Sequence, residues 1–184
     1  MAIYTRKGDY GQTDLIGGRV MKAHPRLHVI GLMDEVMVLL GQLISRCKEK
    51  GLDVRNIEYI YRQFFILQTI IADVKGAYGF SITTDVIAKL ENWIDSLDKS
   101  LPPLRHFIYY TGHEDALLSQ LIRVKIRTVE RWLVNLGENE AIDPLALAFI
   151  NRVSDYFYIF GRWLNHHYHY EEKILQLKIE TNAE

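Results

Sequence analysis

Five stretches of this chain repeat apolar residues every three or four positions, and almost nothing between them alternates as a strand does. From about His24 to Lys50, Leu27, Ile30, Val36, Leu40, Leu43 and Ile44 mark one side of a helix. Pro25 suits its first turn and Gly51 its stop. Gly31 and Gly41 interrupt it, and close packing of a neighbouring helix is the expected reason. A second helix is predicted from Val54 to Val74. There Ile57, Ile60, Tyr61, Phe64, Phe65, Leu67, Gln68 and Ile71 form an almost all-round apolar belt, which implies burial on several sides. Thr84-Asp85 reads as the cap of a third, from Val86 to Leu97, with Leu90, Trp93 and Ile94 on its apolar side. Pro102-Pro103 makes Ser100 to Gly112 an extended connection. The fourth helix runs from Glu114 to Leu136, and the fifth starts at Asp143-Pro144 and reaches about His167. These elements predict an all-α, five-helix bundle.

The chain has 184 residues, enough for one domain, 1–184, with its own core. Residues 1–22 form a loop region, 23–169 the bundle and 170–184 a mixed tail. The loop is the least ordinary part. From Tyr4 to Gly18, Gly8, Gly11, Gly17 and Gly18 are interleaved with Thr5, Thr13, Arg6, Lys7, Asp9 and Asp14. Glycines let backbone N–H groups converge on one point, and hydroxyls and basic side chains add donors, which suits phosphate. A plain surface hairpin with Gly8-Asp9-Tyr10-Gly11 as its turn fits the same residues. It is not a Walker A loop, since Lys7 precedes Gly8.

Charge excludes other classes. With 22 basic and 23 acidic residues, the net charge of −1 argues against a general nucleic-acid or membrane-surface binder. Cys47 is the one cysteine, so neither an intrachain disulfide nor a Cys-rich zinc site is available. No run approaches eighteen apolar residues and no targeting signal is visible, so a soluble, cytoplasmic protein is expected.

Polar stripes run along three of the helices. Arg123, Arg127 and Glu130 share a face of the fourth, with Arg131 one turn beyond Arg127. Asn151, Asp155 and Arg162 mark the fifth, and Arg26, Asp34 and Glu35 the first. A solvated face with ion pairs explains any one of these. Gathered into one cleft with the glycine-rich loop, they would recognise phosphate oxygens through guanidinium forks, with carboxylates holding the forks or a Mg²⁺ ion.

The run Thr5-Arg6-Lys7-Gly8-Asp9-Tyr10-Gly11-Gln12-Thr13, followed by Leu15 and Gly17-Gly18, resembles the opening of the PduO-type ATP:cob(I)alamin adenosyltransferases. Arg26 and Gly31-Leu32-Met33-Asp34-Glu35 resemble that family's Arg…Gly-x-x-Asp-Glu stretch. Arg123 to Arg131 resembles its Arg-x-x-x-Arg-Arg-Ala-Glu-Arg helix, and Asn151-Arg152-Val153-Ser154-Asp155-Tyr156 its Asn-Arg-Leu-Ser-Asp-Tyr helix. Arg162 fits the arginine that follows.

The resemblance implies a homotrimer of five-helix bundles with ATP at the subunit interface. It implies transfer of the 5′-deoxyadenosyl group of ATP to cob(I)alamin, giving adenosylcobalamin and triphosphate, with Mg²⁺ as cofactor. Thr5, Arg6, Lys7, Gly8, Asp9, Gly11 and Thr13 would then form the phosphate loop. Arg127, Glu130 and Asn151 would line the ATP site, with Glu130 at the Mg²⁺, and Arg26 and Asp155 would complete the nucleotide-binding set. Asp34 would pair with Arg123, and Phe107 would be the apolar wall below cobalt. A reductase and a cobalamin-dependent mutase are implied as partners. The chain departs from the family pattern at Lys7, Met37, Thr128 and Tyr109-Tyr110-Thr111-Gly112.

Two other readings belong to different classes. A ferritin-like di-iron oxidase needs Glu-x-x-His pairs, and no glutamate here has a histidine at that spacing. A catalytically silent nucleotide- or corrinoid-binding trimer would keep Arg127 and Asn151 while tolerating change near Phe107. His166 and His169 could share a helix face, but no carboxylate at matching spacing completes a metal site. Trp93, Trp132 and Trp163 are expected as core or interface anchors, and Cys47 as a half-buried spectator.

Overall fold

A computed structural model describes Tyr4 and residues 6–175. The elements are β1 (Gln12–Leu15), β2 (Gly18–Met21), α1 (Pro25–Glu49), α2 (Arg55–Ala72), α3 (Thr84–Lys99), α4 (Glu114–Gly137) and α5 (Pro144–His167). The five expected helices form, and local chemistry explains most of their ends. The His24 imidazole accepts from the Arg26 N–H at 3.2 Å ahead of Pro25, while Gly51, at φ 72°, turns the chain out of α1. Asp143 accepts from the Leu145 N–H at 2.8 Å and so caps α5. His113 caps α4 in the same way, at 3.1 Å from the Asp115 N–H. The cap expected at Thr84-Asp85 is displaced. Thr83 is the N-cap, Thr84 is already helical, and no side chain bonds the first turn.

The expectation that almost nothing is strand-like needs correction. β1 and β2 pair antiparallel, Gln12 opposite Met21 and Leu15 opposite Gly18, around a turn at Ile16-Gly17. Gly17 takes φ 93°, and a Cβ there would meet the Lys75 side chain at 2.9 Å. Gly8 to Gly11 precede this hairpin rather than form its turn. Four-residue strands are too short to leave a periodic signal. The hairpin is fastened to the end of α2, where Ile16 donates to the Ala72 carbonyl and accepts from Val74, each at 3.1 Å.

α5 is the centre of the bundle and packs most extensively on α4, then on α3; α1 packs on α4 and α2. Phe149, Tyr156 and Phe157 of α5 meet Phe64 of α2 and Met33, Leu40 and Leu43 of α1 in the core. Each such side chain contributes about 1.5–3 kcal/mol by burial. Ser119 donates to the Phe157 carbonyl at 2.8 Å, a buried tie between α4 and α5. Burial pushes the Tyr156 hydroxyl far above the ordinary phenol range.

Two further expectations are corrected and a third is narrowed. α2 is not buried all round: Ile57, Ile60, Phe64, Leu67 and Ile71 face inward, while Phe65 is 59% exposed. Among the described residues nothing crowds Gly31 or Gly41, a Cβ at either meeting nothing within 4 Å, so a helix packed there would have to come from outside the chain. Cys47 is fully rather than half buried, and burial pushes its thiol up to about 11. α1, at 25 residues, is long and apolar enough to cross a membrane by length and composition alone, a test that the core helix of a bundle also passes. Its Val29, Met33, Val36, Leu40 and Leu43 side is buried in the bundle.

Candidate functional site

Asn151 stands two turns into α5, and its Nδ2 donates to Oε1 of Glu130 on α4 at 3.1 Å. Its Oδ1 accepts from Arg152 at 3.1 Å, and Arg152 also reaches Asp155 at 3.2 Å and Glu91 at 3.0 Å. The polar stripes of α4 and α5 therefore meet. Arg127, one turn before Glu130, is exposed. Among the described residues, no hydrogen bond or ion pair engages its guanidinium. A preoriented amide, a carboxylate and an exposed guanidinium are groups that suit an anion and its counter-ion.

The N-terminal stretch lies at the end of the bundle where α1 begins. Residues 6–11 form turns, with Gly11 at φ 77° and Arg6 at φ 60°. Gly11 donates to the Gly8 carbonyl at 3.3 Å and accepts from the Lys22 N–H at 2.8 Å. Gly8 packs on the Lys22 side chain, whose Nζ would lie 3.2 Å from a Cβ. Arg19 crosses back to donate to the Lys7 carbonyl and pairs with Asp14 at 3.0 Å. Asp9 is exposed and Thr13 half-buried. Thr5 lies outside the described residues. Arg26 belongs to the same end, but its guanidinium is used within the chain, on the Ile71 carbonyl at 2.6 Å and on Glu140.

Phe107 lies at the opposite end, before α4, with its ring 77% exposed. Its backbone is held by the tail. Leu175 donates to the Phe107 carbonyl at 2.7 Å and Tyr109 to that of Lys173 at 2.9 Å. The Arg162 guanidinium, 3% exposed, grips Glu172 with two bonds of 2.9 Å and donates to the Pro102 carbonyl at 3.0 Å. Arg162 is thus an internal anchor of this end rather than a member of the open stripe. A cavity of about 470 Å³ opens beside it, lined by Pro102, Leu104, Ile108, His166 and Ile174. A second, of about 220 Å³, lies at the hairpin end between Arg26, Asp73, Phe80 and Ile142. Neither includes Arg127, Glu130 or Asn151.

Within the chain Asp34 and Arg123 have other partners. Asp34 accepts from Gln68 Nε2 at 2.5 Å. Arg123 donates to Gln120 at 3.0 Å and to the Tyr110 hydroxyl at 2.7 Å. Glu35 of the first stripe pairs with Lys125 at 2.6 Å, which brings α1 against α4. No group of three or more metal-ligating side chains occurs among the described residues, His166 and His169 included.

Residues 3–164 match the model of the cobalamin adenosyltransferase family. The chain belongs to that family. Among its relatives, a corrinoid adenosyltransferase of Bacillus subtilis is 32% identical over 168 residues, 90% of this chain and 87% of the relative. The corrinoid adenosyltransferase PduO of Citrobacter freundii is 35% identical over 181 residues, 96% of this chain. That alignment spans 53% of the longer relative. A variant PduO-type ATP:corrinoid adenosyltransferase from Lactobacillus reuteri, complexed with cobalamin and ATP, superposes with a TM-score of 0.88 at 28% identity. The superposition covers 96% of this chain and all of that one.

In this cobalamin adenosyltransferase-family chain, sequence reasoning missed the tail pairing and the Tyr110–Arg123 contact. Isolated bridges such as Ile108–Ile174 carry no periodicity. The spacing of Tyr110 from Arg123 crosses a helix start, so no helical rule joins them. The one available signal was the cluster of two tyrosines in a connection that otherwise needed none.

Proposed function

We propose that the chain transfers the 5′-deoxyadenosyl group of ATP to cob(I)alamin, giving adenosylcobalamin and triphosphate. The observation that carries this reading is the Asn151–Glu130 junction beside an exposed Arg127, in a chain matching the family over residues 3–164. The cobalt(I) centre is the nucleophile, so the protein needs no nucleophilic side chain. A Co–C bond forms at the 5′ carbon, the C5′–O bond breaks, and triphosphate leaves with its electron pair.

The chain's part is positioning and charge. Arg127 and the turns from Arg6 through Gly8 to Gly11, with Lys7, Asp9, Thr5 and Thr13, hold the triphosphate and neutralise its growing charge. Asn151 orients the nucleotide, and Asp155 fixes Arg152 beside it. Arg26 organises the start of α1 against the hairpin end. Mg²⁺ commonly binds through one or two carboxylates plus substrate phosphates, and Glu130 with the Asn151 amide fits that pattern. Glu130 would hold the ion, which supplies charge neutralisation to the phosphates. Phe107 keeps water and a lower ligand from the cobalt face.

The working unit is a homotrimer in the cytoplasm. Asp34 of one subunit meets Arg123 of the next, and ATP sits at the junction. Exposed Val38, Gly31 and Gly41 on α1 support such a contact. A reductase supplies Co(I), and a cobalamin-dependent mutase receives the product.

The test is anoxic incubation with chemically reduced corrinoid, ATP and Mg²⁺. The corrinoid should acquire the light-sensitive spectrum of an adenosyl–cobalt bond, with intact triphosphate released. Diphosphate or free phosphate as the stoichiometric product would replace this reading with an ordinary ATPase or nucleotidyl transferase. ATP binding without a Co–C bond under any reductant would make the chain a silent binding trimer.

A further inference from the structure

Arg123 is gripped from several sides. Its guanidinium carbon lies 5.2 Å from the Tyr110 ring centroid and 5.4 Å from that of Tyr158. Nη2 donates to the Tyr110 hydroxyl at 2.7 Å and Nε to Gln120 Oε1 at 3.0 Å. Gln120 is itself fixed, since its Nε2 donates to the Tyr158 carbonyl at 3.2 Å. The same amide lies 2.6 Å from where a Cβ would stand on Gly161, so a side chain there would push it aside. A guanidinium has five N–H donors, and among the described residues those of Arg123 that bond are Nε and Nη2. The grip thus uses the Nε–Nη2 edge and leaves the far edge for an incoming carboxylate.

Tyr110 lies three residues after Phe107 in a connection without regular structure. The tail holds the backbone at Phe107 and Tyr109. Beyond Tyr109, Asn165 of α5 donates to the Thr111 carbonyl at 2.9 Å, and the tie to α4 through Tyr110 is the one with Arg123. We propose that Tyr110 is a positioning residue: its hydroxyl and ring hold Arg123 of α4, and the same grip fixes the end of the segment that carries Phe107. Corrinoid use and the stance of the interface arginine are therefore coupled through one side chain. This rests on the adenosyltransferase reading above, which assigns Phe107 to the cobalt face.

Tyr110→Phe keeps the ring and removes the hydroxyl acceptor. Tyr110 is exposed, so the loss of this hydrogen bond should have the ordinary rather than the buried charged magnitude and raise the corrinoid KM about five- to tenfold, with ATP affinity unchanged. In an Arg123→Ala background the same substitution should add nothing, because its partner is gone. A corrinoid KM within twofold of wild type overturns the proposal. So does an equal effect of Tyr110→Phe with and without Arg123, since the tyrosine would then act by itself. If wild type forms no Co–C bond, the functional reading fails, and the grip is judged by a thermal-unfolding cycle of the same variants. There, additive shifts in Tm would overturn it and non-additive shifts would sustain it.

Discussion

Asn151 is oriented before any ligand arrives, because its amide donates to Glu130 on one side and accepts from Arg152 on the other. Truncation should therefore disturb the placement of ATP more than the fold. Asn151→Ala is expected to lower turnover about a hundredfold, the scale on which a misplaced reactant slows a reaction, while the helical circular dichroism stays that of wild type. Arg127→Ala should do the same with less structural cost still, since Arg127 is exposed and makes no hydrogen bond or ion pair among the described residues. Single-turnover kinetics with saturating ATP would decide, and a loss of threefold or less would remove both residues from the site. Cys47 is the opposite kind of residue. Its thiol, fully buried and raised to about 11, is protonated at pH 8 and out of reach. Native protein should resist iodoacetamide at that pH and react only on unfolding, as mass spectrometry would record.

Where α1 ends and α4 begins, one buried carboxylate joins the two helices. Asp115 has no exposed side-chain surface; it bonds Arg46, accepts from Lys50 at 2.6 Å and receives the Tyr168 hydroxyl at 3.4 Å. Burial alone would raise its pKa, but the bonds from Lys50 and Arg46 outweigh it and hold the group below the ordinary carboxylate range. A carboxylate depressed in the folded state contributes stability above its unfolded pKa and loses it as pH falls through the folded value. Asp115→Asn should cost about 3 kcal/mol near neutrality, the lower end for breaking a buried pair, because Arg46 and Lys50 keep part of their hydration. Urea titrations at falling pH should show wild type and variant converging below about pH 4; a constant gap would contradict the ionic account. None of this cluster was read from the sequence. Arg46 and Lys50 look like ordinary basic residues at a helix end, and their carboxylate lies more than sixty residues away. What the sequence does disclose is governed by short spacing. Helix spans, the Asp143-Pro144 start and the meeting of Glu130 with Asn151 follow from local rules or motif resemblance. The tail bridge and the placement of Arg26 on Glu140 depend on distant partners and were invisible to those rules, while the hairpin has its turn at Ile16-Gly17 and not at the Gly8 to Gly11 stretch that turn chemistry offered.

The whole chain leaves polar and apolar surface that one copy does not use. On α1, Gly31, Asp34, Val38 and Gly41 follow one another at spacings of three and four, so they form a stripe, and all four are exposed. Val38 is 72% exposed, and neither glycine has a neighbour within reach. On α4, packed against α1, Leu117, Leu121 and Val124 form a second exposed stripe beside Arg123. Glycines cost helix propensity, and their retention in a long helix is accounted for if another backbone approaches there from outside the chain. A closed ring of copies, as proposed above, would supply that approach and would give Arg123 a carboxylate in Asp34 of the next subunit. Sedimentation at micromolar concentration with nucleotide present should therefore give a trimer. Each Val, Leu or Phe side chain removed from water contributes about 1.5–3 kcal/mol, so a charge placed in the stripe removes that gain and adds a desolvation cost. Val38→Asp should yield monomers that retain the helical spectrum, because the side chain touches little of its own fold, and adenosylation should be lost with the assembly. Arg123→Ala should weaken the trimer too, through Asp34 stranded at the junction. A wild-type monomer, or a Val38→Asp protein that sediments as wild type does, would place the interface elsewhere and leave the two stripes unexplained.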